Sequence, residues 1–586
     1  MKIFIKEKYK RPLLALTVSL SISFAIFSNT ISGDFVMDDH LVLVGNPLID
    51  RNVPDFVGIF THPYNFFTEE TGLYRPISML SFGINFFLFG KSPISFHVVN
   101  IILHAIAGWL IFMISKRFVS WHSSLIGMAL FLALPIHVEA VASIANRTET
   151  ISLIFSLLVL YYALKDKFNL SSILLFLGLL SKETSVSILP VIFIFLFLQG
   201  KTMIQITRSM FWYIPSFLLY AILRINVLGS RFISPSDNFI VNQLIDAPII
   251  NSLLASFKIL FLYIVKTLIP TNLSPDYSYN QISTSIDSTL ILQSIVGLSV
   301  IVAITFIIFK SKNRLIILGG LIFLGSYAII SNILVKIPTI MADRLFYAPS
   351  AGLILMFTSC IDTALNNTTK KMLIYKILSV IFIIYAGTSF FYNQYWLSQA
   401  SIIRHGYQSS PKSVVMQTAY ANEIFKNGEK ERAIRLIEEV LSQTPQFPMA
   451  LITAGEMYAF SGNTKKGESL WLESIKLKNN AFNAYINLGT LYYQQKKYKK
   501  AEEILERSVS IYPLWEHVAY LGLVKIRLNK PQEAIDLIDK YSDKYLNDQS
   551  FALVLGLAHR SLGNIVEANL HLRSITDPRV LSLYWE

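Results

Sequence analysis

The residues able to do chemistry in this 586-residue chain are gathered in short polar stretches between long apolar runs. The first stretch holds Asp34, the adjacent pair Asp38-Asp39 and His40, followed by Tyr74-Arg75-Pro76. His97, Asn100 and His104 come next, spaced so that all three share one face of a helix. Then follow His137 with Glu139, Asn146-Arg147 with Glu149, Lys182-Glu183, and Asp343-Arg344. A carboxylate at a membrane edge can act as general base, taking the proton of a hydroxyl that attacks an activated sugar carbon. Arginines and lysines beside it can hold a phosphate leaving group through charge-assisted hydrogen bonds. The aromatics Tyr64, Phe66, Phe67 and Tyr74 can pack on a sugar face or, alternatively, lie in an interfacial belt.

Each residue also has a plainer reading. Asp38-Asp39 can simply start a solvated loop, and Arg147 with Glu149, Lys182 with Glu183, and Asp343 with Arg344 can pin helix ends as ion pairs. His97 and His104 read as satisfied buried histidines rather than metal ligands, because no acid lies at ligand spacing. The single cysteine, Cys360, excludes a disulfide framework and a thiolate metal site. What favours function is convergence, since ionisable groups near a bilayer are costly and these fall on one side.

The elements that must position these groups are set by composition. The chain is 53% hydrophobic and 15% charged, with a mean hydropathy of +0.49. Soluble chains carry roughly 25% charged residues, so this one is not soluble throughout. Apolar runs fill 12–392, and 393–586 reads as soluble sequence. Candidate spans are 12–31, 97–115, 122–143, 149–164, 169–181, 184–199, 210–228, 287–309, 314–334, 346–363 and 372–391. The basic start (Lys2, Lys6, Lys8, Lys10, Arg11) resembles a secretory signal, but 12–31 is of spanning length and no small-x-small site follows. It is expected to remain as the first helix.

The net charge of +13 would suit nucleic acid, yet much of it sits in short turns between spans, where it encodes topology instead. Lys116-Arg117, Lys165 and Lys167, Lys201 and Arg208, Lys310, Lys312 and Arg314, and Lys370-Lys371 read as cytoplasmic with the N-terminus. Asp38-Asp39, Glu139, Glu149, Glu183, Asp237, Asp276 and Asp343 then fall outside. Segment 251–270 is apolar enough to span but has outer acids on both flanks, so it is expected to be interfacial or re-entrant. On that count the soluble part lies on the extracytoplasmic side; a full crossing by 251–270 would move it to the cytoplasm.

The soluble part repeats. Ala421, Gly455, Gly489, Gly522 and Gly556 recur at steps of 34, 34, 33 and 34, each followed twelve residues on by Ala433, Gly467, Ala501, Ala534 and Ala568. Small residues at this period mark paired TPR helices, best seen at Asn483–Pro513. The array offers a concave surface for an acceptor or for a partner protein. The expected fold class is therefore all-α: a polytopic membrane helix bundle of about 11 spans over 1–392 with a first outer loop at 32–96, a linker at 393–412, and a TPR α-solenoid of about five repeats over 413–586.

Several motifs in series resemble the transmembrane and TPR-containing (TMTC-type) O-mannosyltransferases. They are Phe35-Val36-Met37-Asp38-Asp39, Asn46-Pro47, Tyr74-Arg75-Pro76-Ile77 and Phe96-His97-Val98-Val99-Asn100 with His104. Pro135-Ile136-His137-Val138-Glu139-Ala140-Val141, Asn146-Arg147-Thr148-Glu149, Leu180-Ser181-Lys182-Glu183 and Ala342-Asp343-Arg344-Leu345-Phe346-Tyr347-Ala348-Pro349-Ser350 complete the order. The resemblance implies a GT-C-type, metal-independent glycosyltransferase, with no cofactor and a polyprenyl-phosphate sugar as substrate. It makes an acid of the first outer loop the catalytic base, Asp38 foremost, with Asp39 as its positioning neighbour. Charge then nominates Arg75, Arg147, Lys182 and Arg344 as phosphate contacts, with Tyr74, His97, His137, Glu139 and Asp343 as further donor-site candidates. The implied reaction moves mannose or another hexose to Ser/Thr of extracytoplasmic proteins. The repeat array is short beside the many-repeat eukaryotic members. Membrane lipids, the lipid-linked sugar and a protein at the TPR array are the expected partners, and nucleic acid is not. Competing readings are transfer to a glycan or lipid acceptor, a transporter, whose broken midplane repeats are not evident in the sequence, and a non-catalytic membrane scaffold.

Overall fold

The computed structural model of the chain describes residues 7–44, 46–49, 53–65, 72–229, 239–477, 481–511, 513–542, 549–577 and 580. Lys2, Lys6, Phe66, Phe67 and Asp237 lie outside the described residues. The chain divides into two compact units, Met1–Met416 and Gln417–Glu586.

Among the described residues the first unit is built of helices joined by turns and loops. Its helices are α1 (Glu7–Phe27), α2 (Asp38–Val42), α3 (Phe56–Thr61), α4 (Pro76–Phe89), α5 (Pro93–Ser115), α6 (Trp121–Ala133), α7 (Val138–Ala142), α8 (Arg147–Ala163) and α9 (Phe168–Ser181). They continue with α10 (Ile188–Leu198), α11 (Met203–Phe211), α12 (Ile214–Leu228), α13 (Ile249–Leu268), α14 (Ser288–Lys310), α15 (Arg314–Ile330), α16 (Tyr347–Asn367), α17 (Lys371–Asn393) and α18 (Gln399–Ser409). Lipid offers no partner for a bare peptide group, so apolar runs of this length close their own hydrogen bonds as helices.

Among the described residues, six helices are long and apolar enough to cross a membrane, or eight if two bent pairs each count as one span. The bends, 54° after α6 and 42° between α11 and α12, fall where Pro135 and Pro215 withhold an N–H. All eleven expected spans coincide with helices, several of them short, such as α9, α10 and α15. Outward faces are apolar, as on α14 (Leu292, Ile295, Val302, Phe306) and α17 (Met372, Val380, Ile383), whereas many polar side chains turn inward. Small residues bring helices close: a Cβ on Gly319 of α15 would stand 2.6 Å from the carbonyl oxygen of Gly352 on α16.

The segment at 251–270 forms α13, which is 20 residues long and by length and composition able to cross. Its bonds tie both halves to loops at the Asp343-Arg344 end of the bundle. Asn251 and Lys258 donate to the carbonyls of Thr284 and Ser283, just before α14, at 2.9 and 3.4 Å. Tyr263 donates to Ala342 O at 3.0 Å, and Lys266 to Asn272 O at 2.5 Å. The helix also packs along α14, where the Ser294 hydroxyl donates to Leu254 O at 2.6 Å.

The 32–96 loop contains α2, α3 and α4, and the 393–412 connection is itself helical and braces that loop. Leu397 O accepts the N–H of Asp34 at 3.0 Å, the Gln399 side chain accepts that of Met37 at 2.7 Å, and Asn393 donates to Ile26 O at 2.9 Å. Asp276 accepts from Ser278 and, at 2.6 Å, from the Ser413 hydroxyl.

In the second unit helices pair antiparallel and stack, from Pro448–Phe460 with Thr464–Leu477 to Gln549–Ser561 with Ile565–Arg573. The recurring small residues sit at the pair contacts. A Cβ on Gly455 would run into the Trp471 ring, and Ala433, Ala501, Ala534 and Ala568 are buried.

Candidate functional site

The site begins at a backbone kink. Met37 takes a left-handed φ of 52°, unusual for a residue with a side chain, and is held there by its bond to Gln399. Helix α2 starts immediately after it. Successive helical residues diverge by about 100°, so neighbouring aspartates face opposite ways. Asp39 is fully buried and accepts the N–H groups of Val36 at 3.0 Å and Ala145 at 2.7 Å. Asp38 is exposed and lines a cavity of about 210 Å³.

Three cations line the same cavity, Arg75, Lys182 and Arg344, together with Tyr64, Asn146, Thr148, Glu149, Glu183 and Thr184. Arg75 stands at the start of α4, where Pro76 supplies a first helical residue that needs no N–H partner. Its Nε and Nη2 form a fork onto Glu183 at 3.1 and 2.6 Å, and its guanidinium lies 5.3 Å from the Tyr64 ring. Lys182 forms an ion pair with Glu149. Arg344 forms one with Glu139, and its backbone N–H donates to the same carboxylate at 2.8 Å. These pairs cross between segments. The neighbour pairings expected from sequence, Arg147 with Glu149, Lys182 with Glu183 and Asp343 with Arg344, do not form, because adjacent side chains at a chain reversal point apart.

Burial pushes the Asp39 carboxyl up to about 7, and the Asp38 charge adds to that, against the smaller opposing pull of the backbone N–H groups. Burial is the largest single influence on the Arg75 guanidinium and would lower it, but the Glu183 charge and hydrogen bonds, with smaller help from Tyr64 and Glu149, together outweigh it and hold Arg75 firmly protonated.

Other residues singled out in the sequence stand behind the cavity wall. Arg147 is buried and donates to Asn100 Oδ1 at 2.6 Å, Ser81 O at 3.2 Å, Asn85 Oδ1 at 3.1 Å and Phe96 O at 3.0 Å. The Phe82 and Phe96 rings lie 4.7 and 5.5 Å from its guanidinium. With its donors turned to α4 and α5, Arg147 is a structural tie and not a cavity cation. Asp343 accepts from Tyr277 at 2.9 Å and from the N–H of Ser274 at 3.2 Å, and Tyr74 donates to Phe60 O at 2.9 Å. His137 shares a 2.7 Å bond with Ser350, and His104 one of 2.7 Å with Tyr347. His97 is buried beside Gly33, away from the cavity. Thus Asp38, Arg75, Lys182 and Arg344 are brought together. Asp39 and Glu139 hold them from behind, and Tyr74, His97, His137, Arg147 and Asp343 lie elsewhere in the packing.

The cavity also has walls that the motif reading missed, Ile337-Pro338-Thr339 and Ile330. No charge or motif marks them, and only the packing of the segment after α15 brings them in. A narrower apolar cleft between α8, α10, α15 and α16 adjoins the cavity, sharing Glu149, Thr184, Ile330 and Leu345 with it. A polar, charged chamber thus leads into a groove between membrane helices.

A tetratricopeptide-repeat family model, TPR_2, matches residues 482–515. The chain is 21% identical to human Protein O-mannosyl-transferase TMTC3 over 94% of its own length and 66% of the relative's. It is 29% identical to Protein O-mannosyl-transferase F38B6.6 of Caenorhabditis elegans, over 58% of this chain and 50% of that one. With human Protein O-mannosyl-transferase TMTC1 it shares 26% identity over 74% of this chain and 55% of the relative. The chain spans about half to two thirds of the length of these curated relatives. They bear the name of the family that the motif series resembles.

Proposed function

We propose that this chain is a membrane glycosyltransferase that moves a sugar, mannose by the names of its relatives, from a polyprenyl-phosphate carrier to Ser/Thr hydroxyls of a protein. One observation carries the reading: an exposed carboxylate, Asp38, shares a cavity with Arg75, Lys182 and Arg344 at the mouth of an apolar cleft. In the proposed reaction Asp38 takes the proton of the acceptor hydroxyl as its oxygen bonds to the sugar C1. The C1–O bond to phosphate breaks, and the departing phosphate monoester keeps both electrons of that bond. The three cations stabilise its growing charge, already oriented by their glutamates. The carrier's isoprenoid tail lies in the apolar cleft. No metal is part of this reading; Arg75, Lys182 and Arg344 supply the positive charge beside the leaving group. The reaction is placed on the extracytoplasmic face, as the charge pattern of the loops suggests. The repeat array, with its stacked helix pairs, holds the acceptor or a partner protein.

The test is transfer from polyprenyl-phosphate mannose to a Ser/Thr-rich acceptor protein by the full chain in lipid nanodiscs. Transfer that vanishes with Asp38→Asn supports the reading. Undiminished transfer by the Asp38→Asn/Asp39→Asn double variant, or no transfer by the unaltered chain, would overturn it.

A further inference from the structure

The opposite end of the bundle holds a second cavity, of about 450 Å³, between the ends of α5, α8 and α10 and the start of α15. Its floor is apolar, formed by Leu160, Ala163, Ile192, Phe195 and Leu196. Three cations line it from three different helix ends, Arg117, Lys201 and Arg314, and among the described residues the one carboxylate in the lining is Asp166. Arg117 donates to Leu164 O at 2.8 Å and lies 5.9 Å from the Tyr161 ring, contacts that leave its charge unneutralised. Neither it nor Lys201 nor Arg314 forms an ion pair with a described carboxylate. This is the reverse of the Asp38 cavity, where every cation has its glutamate.

We infer that this cavity binds the phosphate headgroup of an anionic membrane phospholipid, whose acyl chains run down beside α10. Unpaired cations around an apolar floor match a ligand with a phosphate at one end and hydrocarbon at the other. The flank beside the cavity is itself suited to acyl chains, for Phe193, Ile194 and Phe197 of α10 are exposed. A free phosphate would satisfy the cations but leave the apolar floor in water, so the floor argues for a lipid. The site is separate from the sugar-transfer reading and stands or falls without it.

Native mass spectrometry of the full chain, loaded with phosphatidylglycerol or phosphatidylcholine, tests the inference. Preferential retention of phosphatidylglycerol is expected. With about fivefold in affinity per cation near a lipid surface, Arg117→Gln/Lys201→Gln/Arg314→Gln should weaken retention roughly a hundredfold. The same loss of charge in Lys310→Gln/Lys312→Gln/Lys370→Gln should leave it nearly intact. Asp166→Asn removes the one like charge facing the headgroup and should tighten retention about fivefold. That gain is a readout that does not depend on the triple variant folding. Equal retention of both lipids, equal loss in the two triple variants, or no gain with Asp166→Asn would overturn the proposal. Displacement of the lipid by inorganic phosphate would also overturn it, as the mark of a soluble-anion site.

Discussion

Asp39 accepts the backbone N–H of Ala145 at 2.7 Å, across 106 residues of sequence. With the Tyr64 hydroxyl donating to Ala145 O at 3.3 Å, that bond helps fasten the 32–96 loop to the turn before α8, and so sets Asp38 opposite the cations that follow. The two aspartates therefore divide the work: one faces the chamber, and the other holds it in place.

Substitution should separate the two roles. Asp38→Asn keeps size and fold but removes the base, and transfer should fall by about 10²–10⁴-fold with donor binding retained. Asp39→Asn leaves the base but has one carbonyl oxygen for two N–H donors, and should lose about 1–3 kcal/mol of stability. Single-turnover rates and thermal midpoints in nanodiscs, read side by side, check both. Identical profiles for the two variants would contradict the division.

The Asp39 proton offers a second test. Its folded value of about 7 lies above the roughly 3.9 of an unfolded aspartate. A raised carboxyl favours the folded state most when protonated, so its contribution is full below about pH 4 and is lost as pH rises to about 7. The difference in thermal midpoint between the unaltered chain and Asp39→Asn should therefore shift across that interval and level off above it. A difference independent of pH would show that Asp39 does not titrate there.

Arg75 and Glu183 should behave as a pair. Arg75→Lys keeps the charge but cannot reproduce a two-pronged fork, and donor KM should rise by about tenfold. Arg75→Gln strands the Glu183 carboxylate, so adding Glu183→Gln should recover part of the stability lost. A double variant worse than the sum of its parts would argue against direct pairing in solution.

For Arg147 the expectation is the reverse of a substrate contact. Arg147→Lys cannot reach four acceptors at once, and each buried acceptor left unpaired costs about 1–3 kcal/mol. The thermal midpoint should drop while the donor KM of the folded fraction stays the same. A raised KM at unchanged stability would return Arg147 to the phosphate site.

The helices were legible because run length and charge alternation suffice where the surroundings permit little but helices. The repeat was legible from Ala421 to Gly556 because small residues mark the places where paired helices touch. The cations' partners were not. Lys182 adjoins Glu183 in sequence yet pairs with Glu149, while Glu183 goes to Arg75. Sequence adjacency says nothing of which segments meet at a chain reversal; that is settled by the packing of α4 against α9 and of α7 against the turn at Asp343. For the same reason Arg147 looked like a rim cation. Its four acceptors come from residues 81–100, none of which carries an acidic charge to signal the contact.

The spacing of these partners sets an order of events during synthesis. Glu183 is made 108 residues after Arg75, and Arg344 comes 205 residues after Glu139. A chain emerging from its N-terminus thus carries Glu139 as a lone acid at the membrane edge until the beginning of α16 appears. A nascent chain halted before Arg344 keeps an uncompensated charge where a finished one has none.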